Sequence, residues 1–100
     1  GGETAASFGC GGGSMARSCV PGSEYCALAS ANGALLLAEC RPYPSGCSTC
    51  GCAKADVLPI LRNVNACSYY TAQGLSCGSS SGIIGDADST ETLKIACTVP

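Results

Sequence analysis

The sequence predicts a small, mainly α-helical domain with long glycine- and serine-rich loops, stapled by five disulfides. Three observations carry that expectation. Ten of 100 residues are cysteine, an even count that marks a disulfide scaffold. Residues 23–40 are rich in Ala, Leu and Glu, which favour helix. The whole chain is punctuated by 14 glycines and 5 prolines, a density that breaks it into short elements joined by loops.

A chain of this length forms a single domain, residues 1–100, because it is too short for two independent cores. Ordering it costs roughly 100 to 200 kcal/mol of conformational entropy, which a small core offsets only marginally. Each native bridge in a small secreted domain contributes about 2 to 5 kcal/mol, so five bridges rival the whole net stability. The core is small-grained, made from Leu, Ile, Ala and cystine, since the aromatic residues are only Phe8, Tyr25, Tyr43, Tyr69 and Tyr70.

Residues 1–22 are dense in turn formers, notably Gly9-Cys10-Gly11-Gly12-Gly13-Ser14 and Pro21-Gly22, and read as a loop held by Cys10 and Cys19. A helix is then expected over 23–40, with Ser23 as N-cap and Glu24 at the positive end of its dipole. On that helix Cys26 and Cys40 fall within about 40° of each other, so both ends of one face could be stapled elsewhere. Gly33 and Leu37 lie beside them, with Ala29 near the edge. Gly33 costs about 1 kcal/mol in a helix interior, which implies close backbone packing or an imperfect helix.

Arg41-Pro42-Tyr43-Pro44-Ser45-Gly46 ends that element, because residues before proline avoid the helical region. Gly46-Cys47-Ser48-Thr49-Cys50-Gly51-Cys52 follows, with three sulfurs in six positions, and reads as the hub of the disulfide framework. A helix is expected within 53–65 with a break near Pro59. It begins near Ser48, or else Asp56 caps a separate segment in which Pro59 is the third helical residue. Ser68-Tyr69-Tyr70-Thr71-Ala72-Gln73 reads as a short helix ending at Gly74, and Gly78-Ser79-Ser80-Ser81-Gly82 as an exposed loop. Ile83 and Ile84 are expected to dock on the core. Asp88 and Glu91 resemble a capping box opening a helix over 89–97, anchored by Cys97.

Several kinds of chemistry are disfavoured. Histidine is absent, so the commonest acid and base near neutral pH is missing, and neither Ser nor Cys has an imidazole to activate it. Glu24, Glu39, Asp56, Asp86, Asp88 and Glu91 are the candidates for a carboxylate pair, but glycoside chemistry needs a cleft that so small a domain seldom provides. No catalytic residue and no cofactor is expected. Cys47-x-x-Cys50-x-Cys52 has thiolates at metal-binding spacing, yet lacks histidine and a second close pair, so bridges are preferred over metal. A thioredoxin-like role for Cys47 and Cys50 lacks the surrounding strand-helix alternation. Asp86-Ala87-Asp88-Ser89-Thr90 opens like a calcium loop, but Glu91 stands where glycine is required and Cys97 where the closing glutamate is required.

All ten cysteines, Cys10, Cys19, Cys26, Cys40, Cys47, Cys50, Cys52, Cys67, Cys77 and Cys97, are therefore expected in bridges, with Cys50 and Cys52 not paired to each other. Their spacing leaves the connectivity open among about 945 pairings. The sequence has no basic-then-apolar leader, and its apolar runs, such as Ala34-Leu35-Leu36-Leu37-Ala38, fall far short of the ~20 residues of a membrane helix. It reads as a processed, soluble, extracellular product. A net charge of −2 gives no footing for nucleic acid or an anionic membrane.

From Cys47 onward, four residues separate Cys47 from Cys52 and fourteen separate Cys52 from Cys67, with Cys97 distant. This spacing resembles the back half of elicitins, secreted all-helical oomycete proteins that carry sterols and provoke plant defence. The resemblance implies pairing of Cys47 with Cys97, of Cys52 with a cysteine of the first half, and of Cys67 with one near the N-terminus. The front half departs from that pattern, with four additional cysteines, and the Cys67 to Cys97 interval is too long. The ten-cysteine acidic format is also similar to that of ciliate mating pheromones, whereas the adjacent cysteine pairs of hydrophobins are absent.

Taken together, a secreted, non-catalytic binding protein is expected, acting as a signal or effector through a cell-surface receptor. A second expectation is a carrier of a sterol or other apolar small molecule, with Leu35-Leu36-Leu37 and Val57-Leu58-Ile60-Leu61 on two amphipathic helices enclosing a cavity. A third is a self-associating subunit of an extracellular filament or coat.

Overall fold

The computed structural model describes residues 7–47, 49–79 and 93–100. They form strands β1 (Phe8–Cys10), β2 (Arg17–Cys19), β3 (Glu24–Ala31) and β4 (Ala34–Pro42), helix α1 (Cys50–Leu61), and strands β5 (Ser76–Ser79) and β6 (Leu93–Val99). Strand accounts for 42 % of these residues, against one α-helix, so the protein is mainly β and the expected mainly α fold is incorrect.

The correction begins at Asn32-Gly33. Their φ angles of 56° and 79° are the paired left-handed conformations of a two-residue hairpin turn, which asparagine and glycine tolerate and few other residues do. The segment expected as one helix over 23–40 is therefore the hairpin β3–β4, with Cys26 directly opposite Cys40. Ala, Leu and Glu lean toward helix only by tenths of a kcal/mol each, and burial between two layers overrides that preference. Tyr25, Cys26 and Ala27 are consecutive and all buried, as in a strand covered on both faces.

The pairing of β3 with β4 shifts between Ala29 and Ser30. Ala29 pairs with Leu37 and Ser30 with Leu35, so Leu36 is the extra residue of a β-bulge. The bulge resolves the leucine triplet. Leu35 packs toward one face of the sheet, Leu37 toward the other, and Leu36 is left exposed. A regular strand would have put Leu35 and Leu37 on the same side.

Four strands form one sheet in the order β4-β3-β6-β5, with β3 and β6 parallel and the outer pairs antiparallel. On one face Tyr25, Ala27 and Ala29 of β3 and Leu93, Ile95 and Cys97 of β6 meet Ala53, Val57 and Leu61 of α1. These three helical residues lie four apart, one stripe of a helix. Completely burying side chains such as Val57 and Leu61 contributes about 1.5 to 3 kcal/mol each. On the other face the β1–β2 ribbon covers Cys26, Ala38 and part of Leu28 and Leu35, with Phe8, Cys10 and Cys19 as its buried side chains. The sheet is thus the middle of three layers, with a separate small core on each side.

The other elements differ from expectation in detail. Residues 1–22 were expected as loop, but residues 8–10 and 17–19 pair as the ribbon, around a 3-10 turn at Gly13–Met15. Helix α1 is capped by Thr49, whose hydroxyl accepts the Cys52 N–H at 3.3 Å. The helix thus starts inside the 46–52 segment, as the first of the two expectations has it, and Asp56 lies within it and caps no separate segment. Pro59 is inside the helix near its end rather than at its third position, and the helix stops two residues later. The expected helix over 68–73 is only a 3-10 turn at Ala72–Gly74. In the expected C-terminal helix, residues 93–97 belong to β6 instead. Their alternation of Leu93, Ile95 and Cys97, all buried, with the half-buried Lys94 and Ala96 is that of a strand. The Asp88/Glu91 capping box, Ile83 and Ile84, the Asp86 calcium-like stretch and residues 80–82 lie outside the described residues.

Candidate functional site

All ten cysteines are paired: Cys10–Cys26, Cys19–Cys40, Cys47–Cys52, Cys50–Cys77 and Cys67–Cys97. The segment 46–52 is not a hub for the whole chain. One of its sulfurs reaches β5, and the other two bond to each other. The cross-chain pairs implied by the elicitin-like spacing are replaced by Cys47–Cys52 and Cys67–Cys97. The reason is topological: β3 and β4 turn their cysteines toward the ribbon, away from α1, so Cys52 has no first-half partner on its side of the sheet.

The bridges divide by layer. Cys10–Cys26 and Cys19–Cys40 clamp the ribbon to the hairpin, and the sulfurs of Cys10, Cys19 and Cys40 all lie within 4.8 Å of one another. The two bridges are therefore neighbours in one buried cluster. Cys50–Cys77 joins the start of α1 to β5, and Cys67–Cys97 joins the segment after α1 to β6. Both belong to the helix-side core.

A polar cluster lies where β3, β4 and α1 meet. The Tyr25 hydroxyl donates to Asp56 Oδ2 at 2.7 Å, and the Tyr25 ring meets that of Tyr43 with centroids 5.3 Å apart. Arg41, the cross-strand partner of Tyr25, stands beside the same phenol and donates to Glu39 Oε1 at 3.1 Å. Burial, reinforced by Asp56, pushes the Tyr25 phenol far above its ordinary range. Burial alone raises Tyr43 to about 12. Both phenols stay protonated near neutral pH.

The carboxylates singled out from the sequence are engaged rather than gathered. Glu24 accepts the Val20 N–H at 2.8 Å, Glu39 takes Arg41, and Asp56 takes Tyr25. Asp86, Asp88 and Glu91 lie outside the described residues. The two leucine-rich segments do not enclose a cavity together, because Leu35 and Leu37 are on a strand and point to opposite faces. No pocket is found among the described residues.

The Tyr25–Asp56 link had no sequence signal, since 31 positions separate the two and only the topology unites them. Tyr69 was also missed. It is 94 % exposed, although the residues around it are tied down. Cys67 is bridged to β6, the Tyr70 hydroxyl donates to the Thr98 carbonyl, and Arg62 Nε donates to the Ser68 carbonyl at 3.1 Å. Among the described residues, Val20 and Leu36 are the other large apolar side chains that face solvent. Among the described residues no helix is long and apolar enough to cross a membrane. No protein-family model, curated protein or solved structure matches the chain.

Proposed function

We propose that this is a secreted, non-catalytic recognition protein that acts outside the cell as a signal or effector on a cell-surface receptor. Five bridges with no cysteine left over suit an oxidising compartment, where such cross-links form and persist. The observation that carries the receptor reading is the tethered display of Tyr69. A tyrosine is a frequent anchor of protein interfaces, and one offered on a backbone already fixed on both sides loses little further entropy on binding.

The test is binding of fluorescently labelled protein to intact cells, with excess unlabelled protein as competitor. Saturable, competed binding that Tyr69→Ala weakens at least tenfold, without a change in melting temperature, supports the reading; a tenfold loss is about 1.4 kcal/mol. An apolar molecule released by solvent extraction at fixed stoichiometry, with no cell binding, points to a carrier instead. Concentration-dependent filaments point to a coat subunit. Either outcome overturns the proposal.

A further inference from the structure

We infer that Cys47–Cys52 is a thiol-exchange site, a bridge that an extracellular dithiol opens while the rest of the protein stays folded. It is the one bridge of the five in which neither cysteine is buried; both are half-exposed. Each of the other four has at least one cysteine in a core: Cys10, Cys26, Cys19, Cys67 and Cys97 have no exposed surface, and Cys50 and Cys77 have 8 % and 2 %. An attacking thiolate must approach one sulfur along the bond axis and release the other, so access and the stability of the released thiolate decide where exchange occurs.

Both factors favour this bridge. Cys47 closes the turn that begins at Pro44, outside any strand or helix. Cys52 is in the first turn of α1, three residues after the Thr49 cap. Cys52 is half-exposed, so a thiolate released there is met by water. Attack on the half-buried Cys40 would instead release Cys19 inside an apolar cluster beside Phe8 and Ala38, which disfavours a charge.

In the balanced sequence, one thiolate of the dithiol attacks Cys47 Sγ and forms a mixed disulfide, and the Cys47–Cys52 bond breaks with its electron pair on Cys52 Sγ. The second thiol of the dithiol, deprotonated, then attacks its own half of the mixed disulfide. The reagent leaves as a cyclic or internal disulfide, and the thiolates on Cys47 and Cys52 take up the two protons that the dithiol released. The protein gains two electrons and the dithiol is oxidised. Opening this bridge frees a loop with a sequence separation of only 5, against 16, 21, 27 and 30 for the others, so it relaxes the unfolded chain least. The four remaining bridges still clamp all three layers.

The experiment treats the folded full chain with limiting dithiothreitol, alkylates timed samples with N-ethylmaleimide, and maps the labelled peptides. The expected first product carries two labels, on Cys47 and Cys52, with an unchanged far-ultraviolet circular dichroism spectrum. The companion variant is Cys47→Ser with Cys52→Ser, in which the early phase is lost and the slow phases remain. A different pair labelled first, or ten labels appearing together, overturns the assignment. So does an early phase that persists in the double variant.

Discussion

Removing the Tyr25 hydroxyl from its bond to Asp56 tests how the helix layer is held to the sheet. The phenol has no exposed surface and donates to a carboxylate at 2.7 Å, a charge-assisted bond of the kind whose net contribution is about 1.5 to 3 kcal/mol. In Tyr25→Phe the half-buried Asp56 recovers water, so the loss sits at the lower end, about 1.5 kcal/mol. In Asp56→Ala the phenol keeps its buried proton without an acceptor. The neighbouring Arg41 guanidinium only donates, so the loss rises to about 2 to 3 kcal/mol. The double variant then loses less than the sum, leaving a coupling of about 1.5 kcal/mol. Urea denaturation with the bridges intact measures all three, and the slope of stability against urea stays constant if only the bond has changed. For a domain of this size about 1.5 kcal/mol corresponds to roughly 6 to 12 °C in melting temperature. If the two single losses add to within about 0.5 kcal/mol, the hydrogen bond contributes nothing net, and the apolar stripe of α1 with the Cys50–Cys77 bridge holds the helix without it.

Alkaline titration provides a second check. Tyr25 and Tyr43 have folded values raised above the unfolded phenol, so the folded state keeps its protons where the unfolded state loses them. Their stabilisation is complete below about pH 10 and declines as pH rises from there through about 12. Rapid denaturation measurements across that window should show the decline, and Tyr25→Phe should reduce it. Gly33→Val should cost about 1 to 2 kcal/mol from backbone strain alone, since φ is 79° and nothing lies within 4 Å of an added Cβ; Gly33→Asn should stay within about 0.5 kcal/mol in the same assay. Gly11→Ala should be worse than Gly33→Ala, because its Cβ would sit 2.5 Å from the Met15 carbonyl oxygen and 2.6 Å from Ala38 Cβ. Serine replacement of both Cys67 and Cys97 should cost about 4 kcal/mol, against about 2 for Cys47 and Cys52, from the chain lengths that each pair closes.

The covalent framework was legible because ten cysteines in so short a chain leave few other uses for them, and the helix near 53–61 was legible from its alanines, leucines and isoleucine. The hairpin was also written in the sequence, at Asn32-Gly33, but the helix-favouring residues on either side masked it. The bulge at Leu36 removed the strict alternation that marks a strand, and Tyr25, Cys26 and Ala27 are buried together because both faces of β3 are covered. Neither feature exists until the layers assemble. The same holds for β6, whose alternating residues were read as the end of a helix. The polar cluster was illegible for a different reason: Tyr25, Arg41 and Asp56 come from three elements, and nothing local joins them.

The bridges also fall into two sets that follow each other along the chain without interleaving. The first four cysteines, Cys10 to Cys40, pair only among themselves, and the last six, Cys47 to Cys97, do likewise. Four thiols admit 3 arrangements and six admit 15, so a search confined within each set meets about 45 combinations instead of about 945. Because synthesis proceeds from the N-terminus, oxidising conditions allow the earlier set to finish before the later thiols appear, which lessens the number of wrong partners available at any moment.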